Sequence, residues 1–482
     1  MIFNSVAFAI FFICFFFLYW FVFNKSLKLQ NLLILLGGYV FYGWSDWRFL
    51  SFLIVVSALN FFLGIYIDKT KDPKYRRLLL YIGLVQGIGG LVFFKYFNFF
   101  IVSFNNAFHS LGINVNLQTL TIIIPLGISF FTFRTVSYLI DIDKGKIKPT
   151  MDWVVFFNYV SFFPCVLSGP IDKAISFIPQ LEKKRVFDYH QATDGMRQIL
   201  WGLFKKVVVA DNCATITNQI FADYQVLRAS SLLLGAFLFT IQLYADFSGY
   251  SDMAIGISRI CGFIVTKNFN FPFFSQNIAE FWRRWHISFT SWLTEYVFTP
   301  LSIAFRDYGR LGLILSILIN FTLIGIWHGA NWTFVLFGFL YGCYFIPLIM
   351  SGGMNRGRSV AKGKLFPSSN ELRKILGTFI LVVLTNILFR AESVSQAFGY
   401  WRRLFSFSLF SLPELADSTS VFITMFFIFV LLSVEWLQRE REHGLEINHI
   451  QSMPLRWISY VTTFSIILIF GASSKAFVYF QF

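Results

Sequence analysis

Apolar runs recur along the whole chain, near residues 5–23, 31–46, 49–67, 78–101, 120–140, 196–212, 231–260, 311–327, 331–350, 374–390, 420–437 and 457–474. About 20 apolar residues carry a helix across the hydrocarbon core, and in lipid every backbone polar group must be bonded within the chain. The pattern therefore predicts an all-α, polytopic membrane protein. Several runs are short or broken by glycine, which predicts tilted, interrupted or re-entrant helices sheltered by neighbouring protein. The first run lacks a basic start and a small-residue cleavage site before Asn24, so it is expected to be retained as a helix. No repeat of 20–50 residues and no pair of matching halves interrupts this reading. The longest hydrophilic stretch is 351–373, where Gly352, Gly353, Gly357 and Gly363 lie among basic residues. The expected organisation is one membrane domain over 1–482. It comprises N-terminal helices (1–140), a catalytic core (141–350), a basic loop (351–373) and C-terminal helices (374–482).

Composition strengthens the membrane reading. Of 482 residues, 56% are hydrophobic and 13% charged, with a mean hydropathy of +0.64; these values lie outside the soluble class. The net charge of +15 raises nucleic acid as a partner. The Lys and Arg residues, however, sit in short loops between apolar runs, as cytoplasmic loops do under the positive-inside rule, so no nucleic-acid partner is expected. Lys25 and Lys28, then Lys69 to Arg77, then Lys144 to Lys148 occupy alternate loops, whereas 102–119 has neither Lys nor Arg. This alternation places the N-terminus outside. The five cysteines are scattered singly without zinc spacing, and no metal site is expected.

Residues 242–332 concentrate polar and aromatic groups in a chain that otherwise avoids charge, and ionisable groups at membrane depth default to function. The first block runs from Gln242 to Met253. Its Asp246 and Asp252, with hydroxyls such as Ser248 between them, are candidates to bind a sugar or to brace a catalytic histidine. The second block runs from Glu280 to Ser288 and includes Trp282, Arg283, Arg284, Trp285 and His286. As a helix it would set Trp282, Trp285 and His286 on one stripe. Arg283 and Arg284 suit either lipid headgroups or the phosphate of an acyl donor, and both readings stand. The third block is the polar turn Trp327-His328-Gly329-Ala330-Asn331-Trp332 between two apolar runs.

Of the six histidines, His286 and His328 are the two set among Trp and Gly near the membrane. An imidazole titrates near neutrality, so His328 can take a proton from a hydroxyl and return it to a leaving group. Gly329 would let a backbone N–H approach an oxyanion. The bland alternative for either histidine, or for Asp246, Asp252, Arg283, Arg284 and Asn331, is polar packing inside a helical bundle.

These residues give the chain a resemblance to the membrane-bound O-acyltransferase family, in the branch typified by the alginate O-acetylation membrane subunit. The resemblance runs nearly end to end. It includes Phe41 to Trp44, Pro125 to Phe133, Ser161 to Pro164 with Ser168 to Pro170, and Ala245 to Asp252. It continues through Glu280 to Ser288, Trp327 to Trp332, Phe389 to Glu392 and Tyr479 to Phe482. It implies roughly 11–12 spanning helices with re-entrant or interfacial ones around a central funnel. It also implies that His328 is catalytic, with His286 as the second site residue. Pro164-Cys165 stands where the family usually has Pro-Gln, and Leu301-Ser302 where Gly-Gly often follows the proline; both departures bear on the substrate or acceptor.

The resulting expectation is a bacterial inner-membrane acyltransferase that takes an acyl group, most simply acetyl from acetyl-CoA, from a cytoplasmic thioester to an extracytoplasmic polysaccharide. It would hold no tightly bound cofactor. The resemblance further implies a periplasmic acetyltransferase or esterase-like partner whose hydroxyl can be the immediate acceptor. D-alanyl transfer to teichoic acid, peptidoglycan O-acetylation, and a polysaccharide or lipid transporter without covalent chemistry are the alternatives. The predicted site is His328 and His286, with Asp246, Ser248, Asp252, Trp282, Arg283, Arg284, Trp285, Trp327 and Asn331 binding substrate.

Overall fold

A computed structural model of the chain describes residues 1–44, 46–353, 360–414 and 417–472. The terminal motif Tyr479 to Phe482 and the loop residues 354–359 lie outside the described residues. Regular structure among the described residues is helical throughout. Eight helices there are long and apolar enough to cross a membrane. The remaining predicted runs fold as shorter or interrupted pieces. Residues 5–23 give Val6–Phe17 closed by a π turn, Leu18–Val22; 31–46 falls in the 17-residue helix Leu27–Gly43. Residues 120–140 yield Ile128–Asp143, and 196–212 meets Tyr189–Leu203 and a second π turn, Phe204–Ala210.

The chain divides into two compact units, Met1–Met196 with Ala254–Thr266, and Arg197–Met253 with Lys267–Phe482. In the first unit, three of the sequence motifs act as packing elements. Gly127 caps helix Ile128–Asp143 at φ 72°, and a Cβ there would lie 2.4 Å from the Val166 carbonyl oxygen; only glycine meets both demands without strain. The Tyr42 hydroxyl donates to the Leu126 carbonyl at 2.9 Å. Arg134, fully buried, donates to the carbonyls of Tyr159 at 2.8 Å and Pro170 at 3.0 Å. These contacts satisfy a charge that lipid would otherwise penalise.

In the second unit, α1 (Ala229–Ile260) contributes its portion up to Met253. It is followed by α2 (Ile278–Arg284), α3 (Ile287–Leu293), α4 (Gly309–His328), α5 (Trp332–Met350), α6 (Ser369–Arg390) and α7 (Ser418–Leu437). A turn at Gly329 to Asn331 joins α4 to α5, and the two helices approach backbone to backbone. A Cβ on Gly325 would sit 2.1 Å from the Phe334 carbonyl oxygen, and one on Gly338 would sit 2.2 Å from that of Phe321. Small residues permit such approach in membrane helices, where packing replaces the hydrophobic drive. The hairpin fixes its own tip, and His328 is the last residue before that tip.

Candidate active site

His328 ends α4 and is 5% exposed. Its ring packs edge-on against Phe389 of α6 at 4.9 Å and Phe337 of α5 at 5.8 Å. It lines a narrow cavity, with room for about one water molecule, together with Leu243, Phe281, Trp282, Trp285, Phe337, Tyr341, Asn386 and Phe389. Five helices thus place one imidazole in an aromatic shell. Little water fits there, so a charge developing on a substrate would be stabilised by fixed groups rather than by bulk solvent. Of the predicted residues, Trp282 and Trp285 share this cavity with His328.

His286 does not line the cavity, and the expected Trp282-Trp285-His286 stripe does not form. The helix stops at Arg284, because Trp285 is extended (φ −105°, ψ 127°) and His286 is left-handed (φ 46°, ψ 52°). His286 instead caps α3, fully buried. Phe247 packs on it at 4.6 Å and Phe289 at 4.9 Å. Trp327 touches both imidazoles, with ring centroids 4.8 Å from His328 and 5.7 Å from His286. Nδ1 of His286 lies 3.1 Å from Oδ1 of Asn268, while Nε2 is buried without a hydrogen-bond partner. A buried polar atom left unpaired costs about 1–3 kcal/mol. Burial also pushes the ring's pKa down to about 3, so the imidazole is neutral at ordinary pH.

The acidic candidates are committed elsewhere. Asp246 pairs with Lys206 at 2.9 Å, and Lys206 also meets Asp211 at 2.9 Å. Asp252 pairs with Lys205 and accepts from Gln198 at 2.8 Å. Both carboxylates thus meet lysines of the π turn Phe204–Ala210, and neither lines the cavity. Ser248 is buried on the same helix, away from the cavity lining. Asn331 is likewise structural. Its Oδ1 accepts the Thr333 N–H at 3.1 Å to cap α5, and its Nδ2 donates to the Glu392 carbonyl at 2.8 Å. Gly329 packs under the Phe334 ring, 2.2 Å from where a Cβ would stand.

Arg284 is held by Glu280 at 2.7 Å, one helical turn away. Arg283 points into a different space, an open cleft of about 750 Å³ lined by Trp282, Arg283, Ile287, Thr290, Thr294 and Glu295 among others. Trp282 belongs to both the cleft and the His328 cavity.

Sequence reasoning passed over Phe389, Tyr341, Asn386 and Asn268. Phe389 lay in a recognised motif, but nothing in spacing placed it against His328. Asn386 offered a signal: it is a polar residue inside an apolar run, and its Nδ2 reaches Thr240 at 3.2 Å.

Comparison with known proteins identifies the family. The model of the membrane-bound O-acyltransferase family matches residues 146–358, which contain both histidines. A probable alginate O-acetylase of Pseudomonas aeruginosa is 35% identical over 394 residues, 80% of this chain and 72% of the relative. Another, from Pseudomonas putida, is 32% identical over 94% of this chain and 95% of its own length. A peptidoglycan O-acetyltransferase of Helicobacter pylori is 29% identical over 100% of this chain and 98% of its own. With a helical membrane architecture, a histidine-lined aromatic cavity and relatives matched over most of its length, the chain belongs to the membrane-bound O-acyltransferase family and is an acyltransferase.

Proposed function

We propose that the chain moves an acetyl group from a cytoplasmic thioester, most simply acetyl-CoA, to a hydroxyl on the far side of the bacterial inner membrane, for O-acetylation of a surface polysaccharide. The observation that carries the reading is that His328 lines a narrow aromatic cavity. His328 takes the proton of the attacking hydroxyl as oxygen adds to the thioester carbonyl. The C–S bond then breaks, and the imidazolium returns the proton to the thiolate. The exchange balances: thioester and alcohol become ester and thiol. Such general acid–base work contributes roughly 10²–10⁴-fold.

Arg283 in the open cleft supports a phosphate-bearing donor, because Trp282 connects that cleft to the cavity wall. The basic loops, which the positive-inside rule sets in the cytoplasm, favour an N-terminus outside and a donor arriving from within. The acceptor is either the polysaccharide or a hydroxyl of a periplasmic partner that completes the transfer. Peptidoglycan is the second reading, favoured by the relative that matches along the whole chain.

The test is the acetyl content of surface glycans from a strain lacking the gene, restored with either the parent sequence or His328→Ala at equal membrane abundance. The proposal expects acetyl esters with the parent and none with the variant. Acetylation by the variant, or export lost with acetylation intact, would refute it.

A further inference from the structure

Asn268 lies in the loop between α1 and α2, before Pro272, and its side chain bridges α1 and the start of α3. Its Oδ1 faces Nδ1 of His286 at 3.1 Å, the Ser288 hydroxyl at 2.9 Å and the Ser288 N–H at 3.4 Å. Its Nδ2 donates to the Ser251 hydroxyl at 3.1 Å. The Ser288 N–H can only donate, so it fixes which end of the amide is oxygen. An amide oxygen can only accept, so Nδ1 of His286 must carry the proton. Nε2 then bears the lone pair, and that is the buried ring nitrogen without a partner.

The backbone is held as tightly. The Ile287 N–H donates to the Asn268 carbonyl at 2.8 Å, and the Asn270 N–H donates to the Arg284 carbonyl at 2.9 Å. This clip encloses His286 in its left-handed conformation at φ 46°. A non-glycine residue persists there only where its surroundings over-determine it, and such strain gathers at working sites.

We infer that Asn268 is a positioning residue: it locks His286 as the Nδ1–H tautomer and, through the Trp327 ring that both imidazoles touch, holds the packing beside His328 in place. The effect on rate rests on the acyl-transfer reading above; the tautomer does not. The groups packed on the ring are Phe247, Phe269, Phe289 and Trp327, with Asn268 as its hydrogen-bond partner. Among these contacts none is charged.

The experiment is solid-state NMR of ¹⁵N-histidine-labelled full chain in lipid bilayers, with the His286 signals assigned by their loss in His286→Gln. The expected parent spectrum has Nδ1 protonated and Nε2 bare, unchanged from mildly acidic to mildly alkaline buffer. Asn268→Leu is expected to lose the single tautomer and to lower the acyl-transfer kcat by about tenfold or more with donor KM retained. The nearly isosteric Asn268→Asp keeps the acceptor but adds a negative charge, so His286 should become doubly protonated on mild acidification and the acidic limb of the rate profile should move to higher pH. A parent spectrum with Nε2 protonated overturns the assignment. So does a His286 protonation state unaltered in Asn268→Asp, the arm that decides if Asn268→Leu fails to fold. If the spectra behave as expected while His328→Ala still transfers acyl groups, the functional reading fails and the positioning role stands.

Discussion

His328 and His286 share one tryptophan neighbour yet differ in every constraint that matters for proton transfer. His328 sits at the tip of a helical hairpin and faces a cavity shaped by five helices. His286 sits in a strained break between two short helices, with one ring nitrogen held by an amide and the other enclosed in aromatic rings. A histidine that must cycle between neutral and charged forms needs access to reactants. One enclosed by rings and fixed in a single tautomer can hold its neighbours in place without meeting a reactant. The difference suits the proton-transfer role proposed for His328 and a positioning role for His286.

The strongest way to break that comparison is to exchange the severity of the two substitutions. His328→Ala should reduce acyl transfer by about 10²–10⁴-fold. His286→Ala should cost less, on the order of tenfold, because orientation is weakened while the base remains. Equal losses in radiolabelled transfer assays, with both variants folded, would erase the distinction.

Phe389→Ala removes a wall 4.9 Å from His328. Truncating a buried phenylalanine costs about 3–5 kcal/mol of stability, and the enlarged cavity should accept longer acyl thioesters, read as a shifted donor preference. Unchanged chain-length preference would place the acyl group elsewhere.

Asn331→Ala sharpens the account from the other side. Loss of the cap should cost about 1 kcal/mol of stability, with transfer per folded molecule preserved. A collapse of kcat in stable protein would return Asn331 to the site.

The smallest effect concerns pH. His286 has a folded pKa of about 3 against an ordinary 6.5, so between those values the unfolded chain binds more protons and stability rises with pH. Stability is fully present above 6.5 and is lost as pH falls toward 3. Thermal unfolding of His286→Gln across that window should show a shallower pH dependence than the parent; an identical slope would contradict burial as the cause.

The sequence disclosed the membrane architecture well, because a bilayer leaves the backbone few choices and apolar runs are long signals. It also disclosed the His328 turn, a polar interruption between two such runs. The break at Trp285-His286 was hidden, since a helical spacing of aromatics looks the same whether or not the backbone reverses between them. The ion pairs of Asp246 and Asp252 were hidden for a related reason: their lysine partners, Lys206 and Lys205, lie far earlier in the chain, in a run that periodicity assigned to a span. The pair Lys205-Lys206 within that apolar stretch was the available clue, because buried cations require buried anions. Asn268 gave no sign at all; its importance arises from loop geometry that brings it onto His286.

In the proposed reaction one imidazole, His328, moves the proton in acyl transfer. Purified chain in proteoliposomes, supplied with acetyl-labelled acetyl-CoA and a saccharide acceptor with any partner protein it requires, measures this directly. The account predicts labelled ester formation by the parent and by Asn331→Ala, and near-background levels for His328→Ala. Transfer by His328→Ala at the parental rate would contradict it.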